Sequence, residues 1–100
     1  ELDDDALMAR TAQGQEVAFH LLVRRWEGDL HRFLVHMLGS PEEAEDLVQE
    51  TFIKVYRQAR GYRAEGKFRS WVLRIAGNLA RSRLRRRSLL RWIPFELGSH

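Results

Sequence analysis

Three groups of side chains have types and spacings suited to recognition chemistry. Asp46, Gln49, Glu50, Ile53 and Arg57 fall at i, i+3, i+4, i+7 and i+11, which places them on one stripe of a helix. An isoleucine among carboxylates and amides suits the docking of a protein partner. A solvated face with one stray apolar residue gives the same pattern, and spacing alone does not choose. Downstream, Tyr62, Arg63, Lys67, Phe68, Arg69 and Trp71 interleave aromatic rings with cations. Such a mixture suits unstacked bases, since a ring can stack a base for about 1–3 kcal/mol while cations hold the phosphates. Phe68 and Trp71 also stand at core spacing at the entrance to a helix. Tyr62, in a glycine-flanked loop, is therefore the better base contact.

The third group is Arg74, Asn78, Arg81 and Arg85, at i, i+4, i+7 and i+11 on one outward stripe. Arginine carries a planar, permanently charged fork that fits phosphates and base edges. Asn78 adds an amide whose donor and acceptor can discriminate a base edge, which a row of cations cannot. Arg83, Arg86 and Arg87 extend the charge as general electrostatic capacity. A merely solvated basic face is the competing explanation. A membrane-surface helix is a weaker one, because its apolar face is already needed for a core.

Catalytic, metal and cofactor sites have no support. His20, His31 and His36 lack zinc-ligand spacing, there is no cysteine, and no glycine-rich phosphate loop occurs. Glu42, Glu43 and Glu45 are accounted for as helix N-terminal carboxylates.

These groups need a scaffold, and the composition provides for one domain. The chain has 100 residues, 44% hydrophobic and 31% charged, enough for one modest core. No apolar run approaches the roughly 20 residues that span a bilayer, so no membrane insertion is expected. The absence of cysteine accords with a cytoplasmic setting. The net charge of +3 conceals a strong asymmetry. Residues 1–50 hold 12 acidic and 4 basic side chains, whereas residues 51–100 hold 2 acidic and 13 basic. Two kinds of partner are implied, with the basic half suited to a polyanion.

The periodicity predicts an all-α fold, a compact bundle of about four helices. The first spans about residues 4–13, opened by aspartates and followed by Gly14. The second spans about 16–38, with Phe19, Leu22, Val23, Trp26, Leu30, Phe33, Leu34 and Met37 at helical spacing and Gly39 as its stop. The third has Ser40 as N-cap, Pro41 at the first position and Glu43 closing a capping box. Its core stripe is Ala44, Leu47, Val48, Phe52, Val55, Tyr56 and Ala59. Residues 61–67 form a loop. A fourth helix follows at about 68–87, with Val72, Ile75, Ala76, Leu79 and Ala80 inward. The domain is expected to cover residues 1–87, and residues 88–100, with Pro94, to form a linker or weakly docked tail. The closing Leu-Gly-Ser-His is expected to be an appended remnant.

At this point the chain resembles a known family. The string Asp46-Leu-Val-Gln-Glu-Thr-Phe-Ile-Lys-Val-Tyr-Arg57 is followed by Tyr62-Arg63 and by Phe68-Arg-Ser-Trp-Val-Leu-Arg-Ile-Ala-Gly-Asn78-Leu-Ala80. In that order they resemble the promoter-melting domain of extracytoplasmic-function bacterial sigma factors, over about residues 3–87. Ala18-Phe19, Leu22-Val23 and Arg25 fit the same pattern. The resemblance implies that Asp46, Gln49 and Glu50, with Ile53 on their stripe, face the coiled-coil clamp helices of the RNA polymerase β′ subunit. It implies that the loop around Tyr62 captures a base flipped from the non-template strand of the minus-ten promoter element, with Lys54 and Gln58 lining the same pocket. Asn78 would read adjacent bases, and Arg74 and Arg81 would hold the upstream duplex edge or backbone. Arg63, Lys67, Arg69 and Arg85 add cations along the strand. An anti-sigma factor is a further expected partner. A general nucleic-acid-binding regulator and a pure interaction module are the alternatives.

Two departures stand out. Family members carry a second promoter-reading domain, so this chain, which also lacks an initiator methionine, is expected to be an isolated domain that does not initiate efficiently alone. Gly77 sits in a predicted helix interior at a cost of about 1 kcal/mol. One explanation is a close approach there by DNA or a neighbouring helix.

Overall fold

The computed structural model describes residues 2–92, and within them four helices run in sequence. They are α1 (Asp4–Ala12), α2 (Glu16–Leu38), α3 (Pro41–Arg57) and α4 (Phe68–Trp92), with one 3-10 turn at Ala59–Gly61. The all-α expectation holds, and the helix starts fall where the capping residues put them. Asp3 accepts the Ala6 N–H at 2.8 Å and opens α1. Gly39 adopts φ +70, the left-handed conformation that ends α2, and its N–H closes on the Val35 carbonyl at 2.7 Å. Ser40 then caps α3 by accepting the Glu43 N–H at 3.2 Å.

The amphipathic stripe of α2 is the spine of the core. Leu22, Leu30 and Leu34 are fully buried, Ala18, Trp26 and Leu38 nearly so, and α2 packs against all three other helices. Leu7 and Met8 of α1, Ala44, Leu47, Phe52 and Val55 of α3, and Phe68, Val72, Ala76 and Ala80 of α4 complete one apolar cluster. Thr51 is also fully buried, which the apolar pattern could not reveal; its hydroxyl donates to the Leu47 carbonyl at 2.7 Å, so no buried donor is orphaned.

Three expectations are corrected. Tyr56, counted on the α3 core stripe, is 49% exposed, because it lines the open trough between α2 and α3 instead of the closed core. Helix α4 continues five residues beyond Arg87, to Trp92, with Leu89, Leu90 and Trp92 exposed. Residues 93–100, including Pro94 and the closing Leu-Gly-Ser-His, lie outside the described residues. The capping box closes only on one side. The Glu43 carboxylate turns from the Ser40 backbone to α4, where it accepts from Arg83 at 3.3 Å and Arg87 at 2.6 Å. Two guanidinium donors outbid a neutral amide. Arg87 also donates to the Leu38 carbonyl at the end of α2. Gly77 meets no neighbouring helix; an added Cβ there would approach only the Arg81 guanidinium, at 3.3 Å.

The Arg87 and Arg83 guanidiniums hold the Glu43 carboxyl below its ordinary 4.5. The carboxylate is favoured in the folded state, so its stabilisation is present above pH 4.5 and lost as pH falls through the lowered value. Glu43→Gln is therefore expected to lower the Tm at neutral pH, with the gap from the parent narrowing as the pH is brought to acid. Circular-dichroism melts across that range check it, and a gap independent of pH would refute it.

Candidate nucleic-acid and partner interfaces

Two adjoining cavities open where the loop after the 3-10 turn meets the outer face of α4. The first, of about 290 Å³, is lined by Gly61, Tyr62, Arg63, Glu65, Lys67, Ser70, Trp71 and Arg74. The second, of about 530 Å³, is lined by Lys54, Gln58, Trp71, Arg74, Ile75, Asn78, Leu79, Ser82 and Arg85. Trp71 and Arg74 belong to both, so a half-buried indole and an exposed guanidinium form the shared wall. The Tyr62 ring stands edge-on to Trp71, with centroids 4.8 Å apart, and to buried Phe68 at 5.9 Å. Arg81 donates to the Asn78 Oδ1 at 2.6 Å, so the Asn78 amide nitrogen remains as the donor for a base-edge acceptor.

A third concavity, about 620 Å³, lies between α2 and α3. Its lining includes Phe19, His20 and Val23 from α2 and Val48, Gln49, Phe52, Ile53 and Tyr56 from α3. Phe19 packs edge-on to Tyr56 at 5.1 Å and to Phe52 at 6.4 Å. Ile53 is 49% exposed, and Asp46 and Glu50 are exposed on the same stripe of α3. The result is an apolar trough with an acidic margin.

A profile for Sigma-70 region 2 matches residues 22–89, more than half of the chain. The chain belongs to the Sigma-70 region 2 family. It is 40% identical over 84 residues to the ECF RNA polymerase sigma-E factor of Haemophilus influenzae, covering 84% of this chain and 44% of that protein. It is 36% identical over 81 residues to the RNA polymerase sigma-H factor of Pseudomonas aeruginosa, covering 81% of this chain and 42% of the relative. The chain thus spans less than half the length of these relatives. Among solved structures, an engineered region 2 of sigmaE, determined by NMR in complex with GTAAAA, superposes with a TM-score of 0.82 at 33% identity, covering 92% of this chain and 96% of that one.

On this region 2 scaffold the predicted residues divide into groups. Lys54, Gln58, Arg74, Asn78 and Arg85 converge on the second cavity, and Tyr62, Arg63 and Lys67 on the first. Lys54 and Gln58 therefore sit with Asn78 and not beside Tyr62. Arg81 is one step back, bonded to Asn78 and lying over Gly77. Arg69 is turned away: its guanidinium stacks over Trp26 at 5.9 Å, beside Asp3, Asp4 and Asp5. Gln49 and Ile53 line the trough, while Asp46 and Glu50 are not among its lining residues. Trp71 was read as core, yet extending the Arg74–Asn78 stripe one turn upstream lands on it at i−3, and that signal was available. Phe19 and Tyr56 were likewise absorbed into core stripes. Of the three cations named as general capacity, Arg83 and Arg87 are engaged by Glu43.

Tyr62 is less free than its loop position implied. Its phenol donates to the Asp5 Oδ1 at 2.5 Å, and burial followed by that carboxylate pushes its pKa well above the ordinary 10. The neutral phenol is favoured in the folded state, so this contribution is whole below pH 10 and lost as pH rises through the raised value. Tyr62→Phe should therefore be less stable than the parent at neutral pH and lose less stability on going to strong alkali. Urea unfolding at neutral and alkaline pH measures both; parallel losses would contradict the assignment.

Proposed function

We propose that this domain serves transcription initiation, docking on RNA polymerase through the α2–α3 trough and capturing the minus-ten promoter element as single strand through the paired cavities. The observation that carries this reading is the convergence of Lys54, Gln58, Arg74, Asn78 and Arg85 on one cavity that shares Trp71 with the Tyr62 cavity. Rings accept the faces of extruded bases, the Asn78 amide meets a base edge, and the cations hold the backbone. Extruding a base costs a few kcal/mol, and only a base that the cavity accommodates offsets that cost. Unpairing is thereby converted into sequence preference without any bond chemistry. A region 2 of sigmaE with the same fold was determined in complex with GTAAAA, which supports the single-strand reading.

The trough suits the β′ clamp helices by helix-in-groove docking, with Ile53, Phe52 and Tyr56 as apolar contacts and Asp46 and Glu50 beside basic flanks of the partner. An anti-sigma factor covering either surface would exclude polymerase or DNA. Work on polymerase and promoter DNA, if the domain performs it, belongs to the cytoplasm, and among the described residues no helix is long and apolar enough to cross a membrane.

Fluorescence anisotropy with a GTAAAA oligonucleotide tests the strand reading. Tyr62→Ala and Trp71→Ala should each weaken binding by about 1–3 kcal/mol. Asn78→Ala should relax preference at one base position, whereas Arg85→Ala should lower the salt slope by about one with preference intact. Binding that favours duplex over single strand would overturn the proposal in favour of a double-strand regulator. For docking, Ile53→Asp and Glu50→Ala should reduce capture by a β′ clamp-helix fragment and leave oligonucleotide affinity unchanged.

A further inference from the structure

The first cavity is only as well defined as residues 61–67, and most of that loop is exposed: Gly61 and residues 63–67 contribute no buried side chain. What fixes it comes from the far end of the chain. The two oxygens of Asp5, in the first turn of α1, each take a donor from the loop. Oδ1 accepts the Tyr62 O–H at 2.5 Å and Oδ2 accepts the Gly66 N–H at 2.8 Å. Gly66 has φ +72, a left-handed conformation that aims its amide at α1 and disfavours other residues. One carboxylate thus brackets Arg63, Ala64 and Glu65 between its two hydrogen bonds. Helix α1 is itself held to α2. Asp4 accepts from Arg25 at 3.0 Å and from the Trp26 indole at 2.9 Å, and Arg25 also donates to the Leu2 carbonyl.

We propose that Asp5 is a positioning residue for base capture, setting the loop in its receptive shape through Tyr62 and Gly66. This makes α1 part of the DNA-recognition device, although it precedes residues 22–89, which match the family profile. The inference rests on the single-strand reading of the cavity. A carboxylate suits both loop donors at once: an asparagine amide keeps one acceptor oxygen, and its NH2 can meet the phenol only as a neutral donor to the phenol oxygen, so the charge-assisted bond from Tyr62 is lost. Releasing the Tyr62 phenol lets its ring leave Trp71, and affinity then falls with the fraction of molecules whose loop is still receptive.

Electrostatics alone argues the opposite sign, which makes the test decisive. Removing an anion near phosphates should tighten binding; removing a positioning group should weaken it. The experiment compares the parent, Asp5→Asn, Tyr62→Phe and the double variant, using GTAAAA and an unrelated duplex, with the Gly66 amide followed by NMR and hydrogen exchange without DNA. Each single variant is expected to raise the Kd for GTAAAA about five- to tenfold. The duplex Kd should stay level or fall. The double variant should bind no worse than the weaker-binding single, since the Asp5–Tyr62 bond is common to both. The Gly66 amide should shift and exchange faster in Asp5→Asn, while core amides such as Leu30 do not change. Tyr62→Phe leaves α1 intact and carries the test if Asp5→Asn fails to fold. Unchanged or tighter GTAAAA binding by Asp5→Asn, additive effects, or an undisturbed Gly66 amide would overturn the proposal. A parent with no preference for single strand removes the strand reading and this inference with it. A parent preference lost in Trp71→Ala but kept in Asp5→Asn removes this inference alone.

Discussion

Helix α4 must be fastened to an acidic bundle by one side while the other keeps its cations available, and the rest of the structure follows from how that is done. Phe68, Val72, Ala76 and Ala80 seat it in the core, and a single carboxylate, Glu43, holds its far part through Arg83 and Arg87. Guanidinium pairs of this geometry are stronger than neutral hydrogen bonds, which is why the capping box is left half closed. The contact decides which arginines are structural. Arg74, Arg81 and Arg85, lying on the opposite stripe, have no carboxylate partner among the described residues. Charge asymmetry between the halves of the chain is therefore resolved locally, by a few specific pairings and not by wholesale collapse of base on acid.

The same logic separates the two faces of α3. Its stripe of Asp46, Gln49, Glu50 and Ile53 borders the trough with α2, while Lys54 and Gln58, one turn further and rotated, reach the cavity under α4. A single helix thus serves two concavities of different chemistry, one apolar with an acidic margin and one cationic with an indole wall. No side chain lines both surfaces, so the proposed polymerase docking and strand capture would not compete for residues.

The starts of α1 and α3 and the end of α2 were legible because caps are local: Asp3, Gly39 and Ser40 act within four residues of themselves, whereas α4, with no such stop, runs past its expected end. The core was legible because 3.6-residue periodicity is local too. Tyr56 was misplaced and Trp71 only half placed, packing on the core while also lining both cavities, for a shared reason. Each occupies a phase at the border between core and surface, and whether a concavity opens beside it, which phase does not reveal, sets which side it takes. Thr51 was missed because its polarity masks a buried position that its own helix satisfies. Tyr62 was found by type and flanking glycines, yet its tether could not be found, since Asp5 is 57 residues away and belongs to an aspartate run already explained as a helix start. Glu43 was assigned to its nearest amide for the same reason. Sequence reasoning satisfies a polar group with the nearest partner, whereas the fold satisfies it with the strongest.

That difference explains why the acidic N-terminus has two readings at once. Asp3 does what its position predicts and caps α1. Asp4 and Asp5, adjacent and chemically identical, diverge because the helix turns them to different neighbours, one toward Arg25 and Trp26 of α2 and the other toward Tyr62 and Gly66. Trp26 in turn lies beside Phe68 at 5.7 Å and beneath Arg69 at 5.9 Å, which draws that cation away from the strand-facing side. The start of α4, the loop before it and the start of α1 are therefore one coupled assembly. A negative charge so close to a polyanion site is unfavourable on electrostatic grounds alone. Its place there is understandable if the order it gives to the loop outweighs the repulsion: Arg25 offsets the charge of Asp4, whereas Asp5 is met by two neutral donors and keeps its charge.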